Sequence, residues 1–268
     1  MKATDWSDTI CKTNGIHIHY TRTGGKKPSL ILLHGLMTNG LCWTNLARAF
    51  ENDYDVIMPD ARGHGESSTP DFGYRYEDHA NDVVGLIKAL NLSPPVLLGH
   101  SMGGMTATVV ASQDPKLLRG LILADPTFLS PKVQREVRDS DVADRHRQVL
   151  NMPLEEVIAE ARGRHPNRTS ETLELFARAR LQTSMAAFDV LAPPNPDYTQ
   201  LVKAIDVPSL LVFGDRGVVS PVVAEELQGQ NSKIQIEQIY KAGHTLHMDQ
   251  PERFVSVVKS FLRSMDTI

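Results

Sequence analysis

Over its first half the chain alternates short apolar runs with longer stretches whose apolar residues recur at helical spacing. Ile16 to Thr21 alternates apolar and polar side chains, the pattern of a strand with one exposed face. Leu30-Ile31-Leu32-Leu33 is a continuous apolar run, which predicts a strand covered on both faces. Asp55 to Pro59, Val96 to Leu98 and Leu121-Ile122-Leu123 predict further strands. Between them, Tyr76 to Leu90 carries Val83, Val84, Ile87 and Leu90 at helical spacing. Strands alternating with helices imply a parallel sheet with helices on its faces, an α/β fold.

The pattern changes after Asp125. From Leu129 to about Pro196 the chain is charged and helical, with no strand signal. Leu154, Val157, Ile158 and Ala161 form one helical stripe, entered through Pro153. Leu173, Phe176, Ala177, Leu181 and Phe188 form a second. Pro193-Pro194-Asn195-Pro196 then stops regular structure. Alternation resumes at Leu210-Leu211-Val212-Phe213, continues through Ile234 to Tyr240 and ends in a helix from Pro251 to about Ser264. The gap far exceeds an ordinary crossover. Residues 129–196 therefore read as a helical cap inserted into a core made of 1–128 and 197–268.

A chain of 268 residues with 41% hydrophobic and 22% charged side chains suits one core carrying such an insertion. A net charge of −4 gives no reason to expect nucleic acid or an anionic membrane as partner. Cys11 and Cys42 stand far apart and in no metal-ligand pattern, so they read as reduced thiols. No metal and no cofactor is expected. Met1 to Trp6 lacks the apolar region of a leader, and no later segment is long enough to span a bilayer, so a cytoplasmic location is expected.

Chemistry enters with Gly99-His100-Ser101-Met102-Gly103-Gly104, which joins the apolar run Val96-Leu97-Leu98 to the small-residue segment Met105 to Ala111. That is strand, tight turn and helix with a serine at the apex. A serine on such a turn needs neighbours without Cβ atoms, and its Oγ then projects off the end of the sheet. The following helix aims its N-terminal N–H groups at the same point, which suits an oxyanion. Gly103, Ala107 and Ala111 recur every four residues, so this helix can lie close to the sheet. A serine hydroxyl needs an adjacent base at neutral pH. His244 follows the last predicted strand in a loop loosened by Gly243, and histidine is suited to take and return the proton. His247 is the weaker candidate.

With these segments in order, the chain resembles the α/β-hydrolase superfamily, in its capped, haloperoxidase-like and esterase-like branch. The resemblance runs from about Ile16 to Leu262 and rests on four motifs: His34-Gly35-Leu36-Met37, Asp60-Ala61-Arg62-Gly63-His64-Gly65-Glu66-Ser67, the turn around Ser101, and Ala242-Gly243-His244 followed by Pro251. It implies a mostly parallel eight-stranded sheet flanked by helices. It also implies Ser101 as nucleophile, His244 as base, and an oxyanion hole formed by the N–H groups of Leu36 and Met102. Asp60, Arg62 and His64 belong to a structural turn of the family and are expected to have no catalytic role; His34 and His100 flank the site as packing or orienting residues.

One position departs from the family. The acid that orients the histidine usually stands three residues after the glycine of G-x-x-D on the seventh strand. Here Gly214-Asp215-Arg216-Gly217 puts a glycine there. Two residues are candidates to replace it. Asp125 follows Leu121-Ile122-Leu123-Ala124, where some members of the superfamily carry their acid; Asp215 lies two positions early on the usual strand. Asp125 is preferred and Asp215 is the alternative. Either keeps the order serine, acid, histidine.

A serine at this turn implies acyl transfer through an acyl-enzyme to water. The haloalkane dehalogenases and epoxide hydrolases of this fold need aspartate there. His34, Gly35, Leu36, Met37, Met102, Phe128, Leu129 and Leu246 are expected around the serine, a lining that suits an aliphatic or small aromatic acyl group. No Arg or Lys cluster near the motifs suggests a phosphorylated or CoA substrate. The resulting expectation is a hydrolase of small-molecule carboxylic esters or lactones, with acyl-homoserine lactones among the candidates. The alternatives are a C–C bond hydrolase acting on a dienone, a cofactor-free perhydrolase or, given Gly217, a catalytically weak sensing protein that keeps the pocket.

Overall fold

In the computed structural model, residues 6–265 are described. Residues 1–5, read above for a leader, and the last three residues of the expected core lie outside the described residues. Eight strands form one sheet among the described residues: β1 (Ser7–Thr13), β2 (Ile16–Arg22), β3 (Ser29–Leu33), β4 (Asp55–Pro59), β5 (Val96–His100), β6 (Gly120–Ala124), β7 (Ser209–Arg216) and β8 (Ile234–Gly243). Their spatial order is β1-β2-β4-β3-β5-β6-β7-β8. β2 is antiparallel to β1 and β4, and every other pairing is parallel.

The expected apolar runs are the central strands, and β3, β4, β5 and β6 are buried along their whole length. Burial on both faces removes the polar alternation a one-sided strand would show. Successive residues still separate: Ile31 and Leu33 join the core on one face, Leu30 and Leu32 the core on the other. The first face is covered by α2 (Tyr76–Ala89) and α3 (Met102–Gln113). The second is covered by α1 (Thr44–Phe50) and the last helix, Pro251–Met265. The hairpin strand β1 carries no apolar pattern in the sequence because it is mostly exposed and only Cys11 turns into the core.

Between β6 and β7 the chain forms α4 (Pro131–Arg138), α5 (Val142–Val149), α6 (Leu154–Arg164) and α7 (Ser170–Leu181). A 3-10 turn (Met185–Leu191) and α8 (Tyr198–Ala204) follow, and no strand interrupts them. Val149, Val157 and Ala177 form a small apolar cluster of their own within this segment. The second predicted stripe is split: α7 ends at Leu181, and Phe188 sits on the 3-10 turn. Ser184 starts that turn by accepting the Ala186 N–H at 3.2 Å. A side-chain oxygen that satisfies a free backbone donor begins a new turn whatever the periodicity behind it. The chain closes with α9 (Pro221–Gln230), β8, α10 (Leu246–Asp249) and α11 (Pro251–Met265).

The Asp60 motif is built as a turn. The Asp60 carboxylate accepts N–H groups from Gly40 at 2.7 Å and Glu66 at 2.9 Å, and Arg62 forks onto Asp82. His19 on β2 lies between two carboxylates, 2.8 Å from Asp60 and 2.7 Å from Asp8. The hydrogen bond to Asp60 outweighs burial, and with the charges of Asp60 and Asp8 it raises the imidazole to about 9. A raised histidine stabilises the fold fully below its unfolded value, about 6.5, and loses that contribution as pH rises through 9. The melting temperature of His19→Gln is therefore expected below wild type at pH 6, with the gap narrowing by pH 10. A gap of constant size across that range would show that His19 is not held as a cation.

Candidate active site

β5 ends in a backbone that ordinary residues avoid. Ser101 has φ 54° and ψ −119°, a strained conformation that costs on the order of 1–3 kcal/mol. Its neighbours leave no room for side chains. A Cβ on Gly99 would lie 2.2 Å from the Gly103 carbonyl oxygen, and one on Gly103 would lie 2.4 Å from that of Leu33. The turn is therefore clamped between β3 and the first turn of α3, with the serine at the helix N-terminus.

Ser101 Oγ–H donates to His244 Nε2 at 2.9 Å, and His244 Nδ1–H donates to Asp125 Oδ2 at 2.6 Å. Asp125 is fully buried at the end of β6, and its carboxylate also accepts the N–H groups of Val218 at 2.8 Å and Val219 at 2.9 Å. Three donors converge on one carboxylate, and the shortest of these hydrogen bonds places the Nδ1 proton of His244 against Asp125. Nε2 is left free to accept.

Asp215 is not in this line. Its carboxylate turns to the β7–β8 edge, accepts the Ala242 N–H at 2.9 Å, and is held below the usual carboxylate range chiefly by the N–H of Lys241. The glycine at 217 has a structural reason: a Cβ there would lie 2.6 Å from Asp125 Oδ1. The carboxylate from β6 fills the space that a side chain from the β7 loop would need.

The neighbouring histidines hold the frame. His100 Nε2–H donates to the His244 carbonyl at 2.8 Å, and burial, with His247 and His244 beside it, keeps His100 neutral. His247 is packed against Trp43 and His100, and burial brings it down to about 3. His34 Nε2 accepts the Ala61 N–H at 2.9 Å, so its Nδ1–H donates to the Gly35 carbonyl at 2.8 Å. Gly35 lies against the serine, since a Cβ there would be 3.1 Å from Ser101 Cβ. Among the described residues, the N–H groups of Leu36 and Met102 have no backbone acceptor in the chain, and both residues line the cavity beside Ser101.

That cavity has a volume of about 650 Å³ and is also lined by Gly35, Met37, Leu129 and His244. Two expected lining residues are not there. Phe128 turns into the sheet core and stacks on Tyr198 with ring centroids 4.8 Å apart; Leu246 is fully buried in the core on the other face. Both are large apolar side chains next to a core with room for them, so they pack inward. Tyr76 and Thr127, 3.0 Å apart through their hydroxyls, stand in the lining instead. Cys42 also lines it, but burial pushes its thiol up to about 12, so the thiolate is scarce at neutral pH.

Arginines far from the motifs in sequence reach the same wall: Arg145 on α5, Arg164 on α6, Arg168 in the α6–α7 loop and Arg180 on α7. Their sequence spacing shows only a charged helical face. Arg168 also ties this wall to the His244 loop: it donates to Thr245 Oγ1 at 2.8 Å and pairs with Asp249 at 3.2 Å, while Asp249 accepts the Gly243 N–H at 2.8 Å. Among the described residues no group of three or more His, Cys, Asp or Glu could hold a metal ion, and no helix is long and apolar enough to cross a membrane.

A strained serine turn at the end of a central parallel strand, facing a histidine after the last strand, defines a hydrolase of the α/β type. The chain belongs to that family: the model of the alpha/beta hydrolase fold matches residues 28–251. The chain is 30% identical over 255 residues to the N-formylmaleamate deformylase of Pseudomonas putida, covering 93% of this chain and 94% of that protein. A thermophilic esterase from Thermogutta terrifontis, solved with malate bound, superposes with a TM-score of 0.78 at 30% identity over 97% of this chain and 99% of that one. An E-2-(acetamidomethylene)succinate hydrolase shares the fold with a TM-score of 0.85 at 22% identity, over 96% and 99% of the two chains.

Proposed function

We propose that this chain is a serine hydrolase that cleaves carboxylic esters or lactones through an acyl-enzyme at Ser101. The observation that carries the reading is the continuous hydrogen-bonded line from Ser101 through His244 to Asp125, opening on the cavity. Ser101 Oγ attacks the acyl carbon as His244 Nε2 takes its proton, and His244 then returns the proton to the leaving oxygen. Asp125 holds Nδ1 of His244 and stabilises the imidazolium as it forms. The oxyanion is held by the N–H groups of Leu36 and Met102, each worth on the order of 3 kcal/mol. A water activated by His244 then releases the acid. Residues 129–196 act as a cap that shapes the acyl pocket and limits water. The filled space at Gly217 counts against a sensing protein, since another carboxylate stands where the usual acid would be.

A fluorophosphonate should form one adduct, on Ser101, located by mass spectrometry of the digested protein. A panel of esters and lactones of graded acyl length should then show turnover. One formamide belongs in that panel, because a deformylase is among the relatives. An adduct elsewhere, or none, would sink the mechanism. His244→Ala should cost turnover by a factor on the order of 10⁴ or more. His247→Ala should stay within about tenfold, because its ring packs against Trp43 and His100 and makes no bond to Ser101. The opposite ranking would move the base to His247.

A further inference from the structure

We propose that the substrate carries a carboxylate, seated on Arg180 in the cavity that Ser101 also lines. This rests on the hydrolase reading and adds the substrate class to it. Four arginines reach the wall of the cavity, and three are already neutralised within the chain. Arg145 pairs with Asp141 at 2.6 Å, Arg164 with Glu160 at 2.6 Å, and Arg168 with Asp249 at 3.2 Å.

Arg180, on α7, makes no ion pair and no side-chain hydrogen bond among the described residues, and its buried Nε has no partner. Burial and the nearby Arg164 press it below the usual arginine value, yet a guanidinium remains charged at neutral pH. A buried donor on a cation is unfavourable until an acceptor reaches it. The planar fork of arginine matches a carboxylate through two parallel hydrogen bonds. The wall is left with one uncompensated positive charge, which suits a monoanion better than a phosphate dianion. Val157, Leu173 and Phe176 line the same cavity and would pack the methylenes that link the carboxylate to the ester.

The test compares ethyl hexanoate with monoethyl adipate, which share a six-carbon acyl chain and differ by a terminal carboxylate. Wild type should favour the half-ester in kcat/KM by roughly tenfold or more, mainly through KM. Arg180→Met should collapse that ratio towards one, and Arg180→Lys should restore part of it as a charge without the fork. In a separate binding arm, adipate should raise the melting temperature of wild type and not that of Arg180→Met. Equal use of the two esters, or equal losses on both in Arg180→Met, overturns the proposal. Inorganic phosphate stabilising wild type more than adipate overturns the choice of a carboxylate. Ser101 labelling with turnover of the neutral ester alone would reject the carboxylate and keep the hydrolase. Absence of the Ser101 adduct would reject the hydrolase, and the adipate arm then decides the Arg180 site by itself.

Discussion

Ser101→Ala is expected to lower ester turnover by a factor on the order of 10⁶ while leaving the fold intact. In the proposed mechanism the missing Oγ is the attacking atom, and in the structure it is the donor to His244 Nε2 at 2.9 Å. The Cys42 thiol in the same lining is no substitute, since burial holds it at about 12. The φ of 54° is as strained for alanine as for serine, so the turn gains and loses little. One oxygen removed from a cavity wall leaves no void that the core must fill. The melting temperature should therefore remain within roughly 3 °C of wild type. Adding His244→Ala should cost little more, because groups that act as one unit give non-additive losses. Turnover that survives Ser101→Ala at a tenth of the wild-type rate would mean the nucleophile is another group.

Asp125→Asn is expected to cost about 10⁴ in turnover, the size known when the aspartate of a serine-protease triad is amidated. Three N–H donors point at this carboxylate, from Val218, Val219 and His244. An amide has one acceptor oxygen, and its NH₂ must face at least one of those donors. His244 then takes the wrong tautomer, or a buried N–H is left unpaired at about 1–3 kcal/mol. Some loss of melting temperature should accompany the loss of rate. Asp215→Asn should be mild in rate, because it changes only a contact at the β7–β8 edge. The spacing of 2.6 Å between Asp125 Oδ1 and a Cβ at 217 adds a second arm. Gly217→Asp should not rescue Asp125→Asn, since the amide still fills that space. In an Asp125→Ala background the space opens, and Gly217→Asp should raise turnover above Asp125→Ala alone. Near-normal rates for Asp125→Asn, or a crippling effect of Asp215→Asn, would remove Asp125 from the mechanism.

Much of this was legible from local pattern. Parallel strands buried on both faces have no choice but continuous apolar runs, so Leu30 to Leu33, Val96 to Leu98 and Leu121 to Leu123 identify themselves. The glycines around Ser101 are demanded by backbone atoms within a few residues or on the adjoining strand, and they mark the turn unaided. What local pattern misses is whatever two distant segments settle between them. Phe128 and Leu246 are apolar and sit next to motif residues, yet only the packing of the finished core turns them away from the cavity. Gly217 reads as a lost acid until β6 and β7 lie side by side with the Asp125 carboxylate in the gap. The arginines between Leu129 and Pro196 show in the sequence only as part of a charged helical segment, because which of them keeps a carboxylate partner is a matter of three-dimensional distance. Periodicity reports the face a residue shares with its near neighbours along the chain, whereas charge compensation and the occupancy of space depend on contacts between residues as far apart as Asp125 and His244. The sequence by itself therefore determined the central strands, the serine turn and the histidine loop and favoured Asp125 over Asp215; the contact between the Asp125 carboxylate and His244, and the arginine that keeps no carboxylate partner, are set by the tertiary structure.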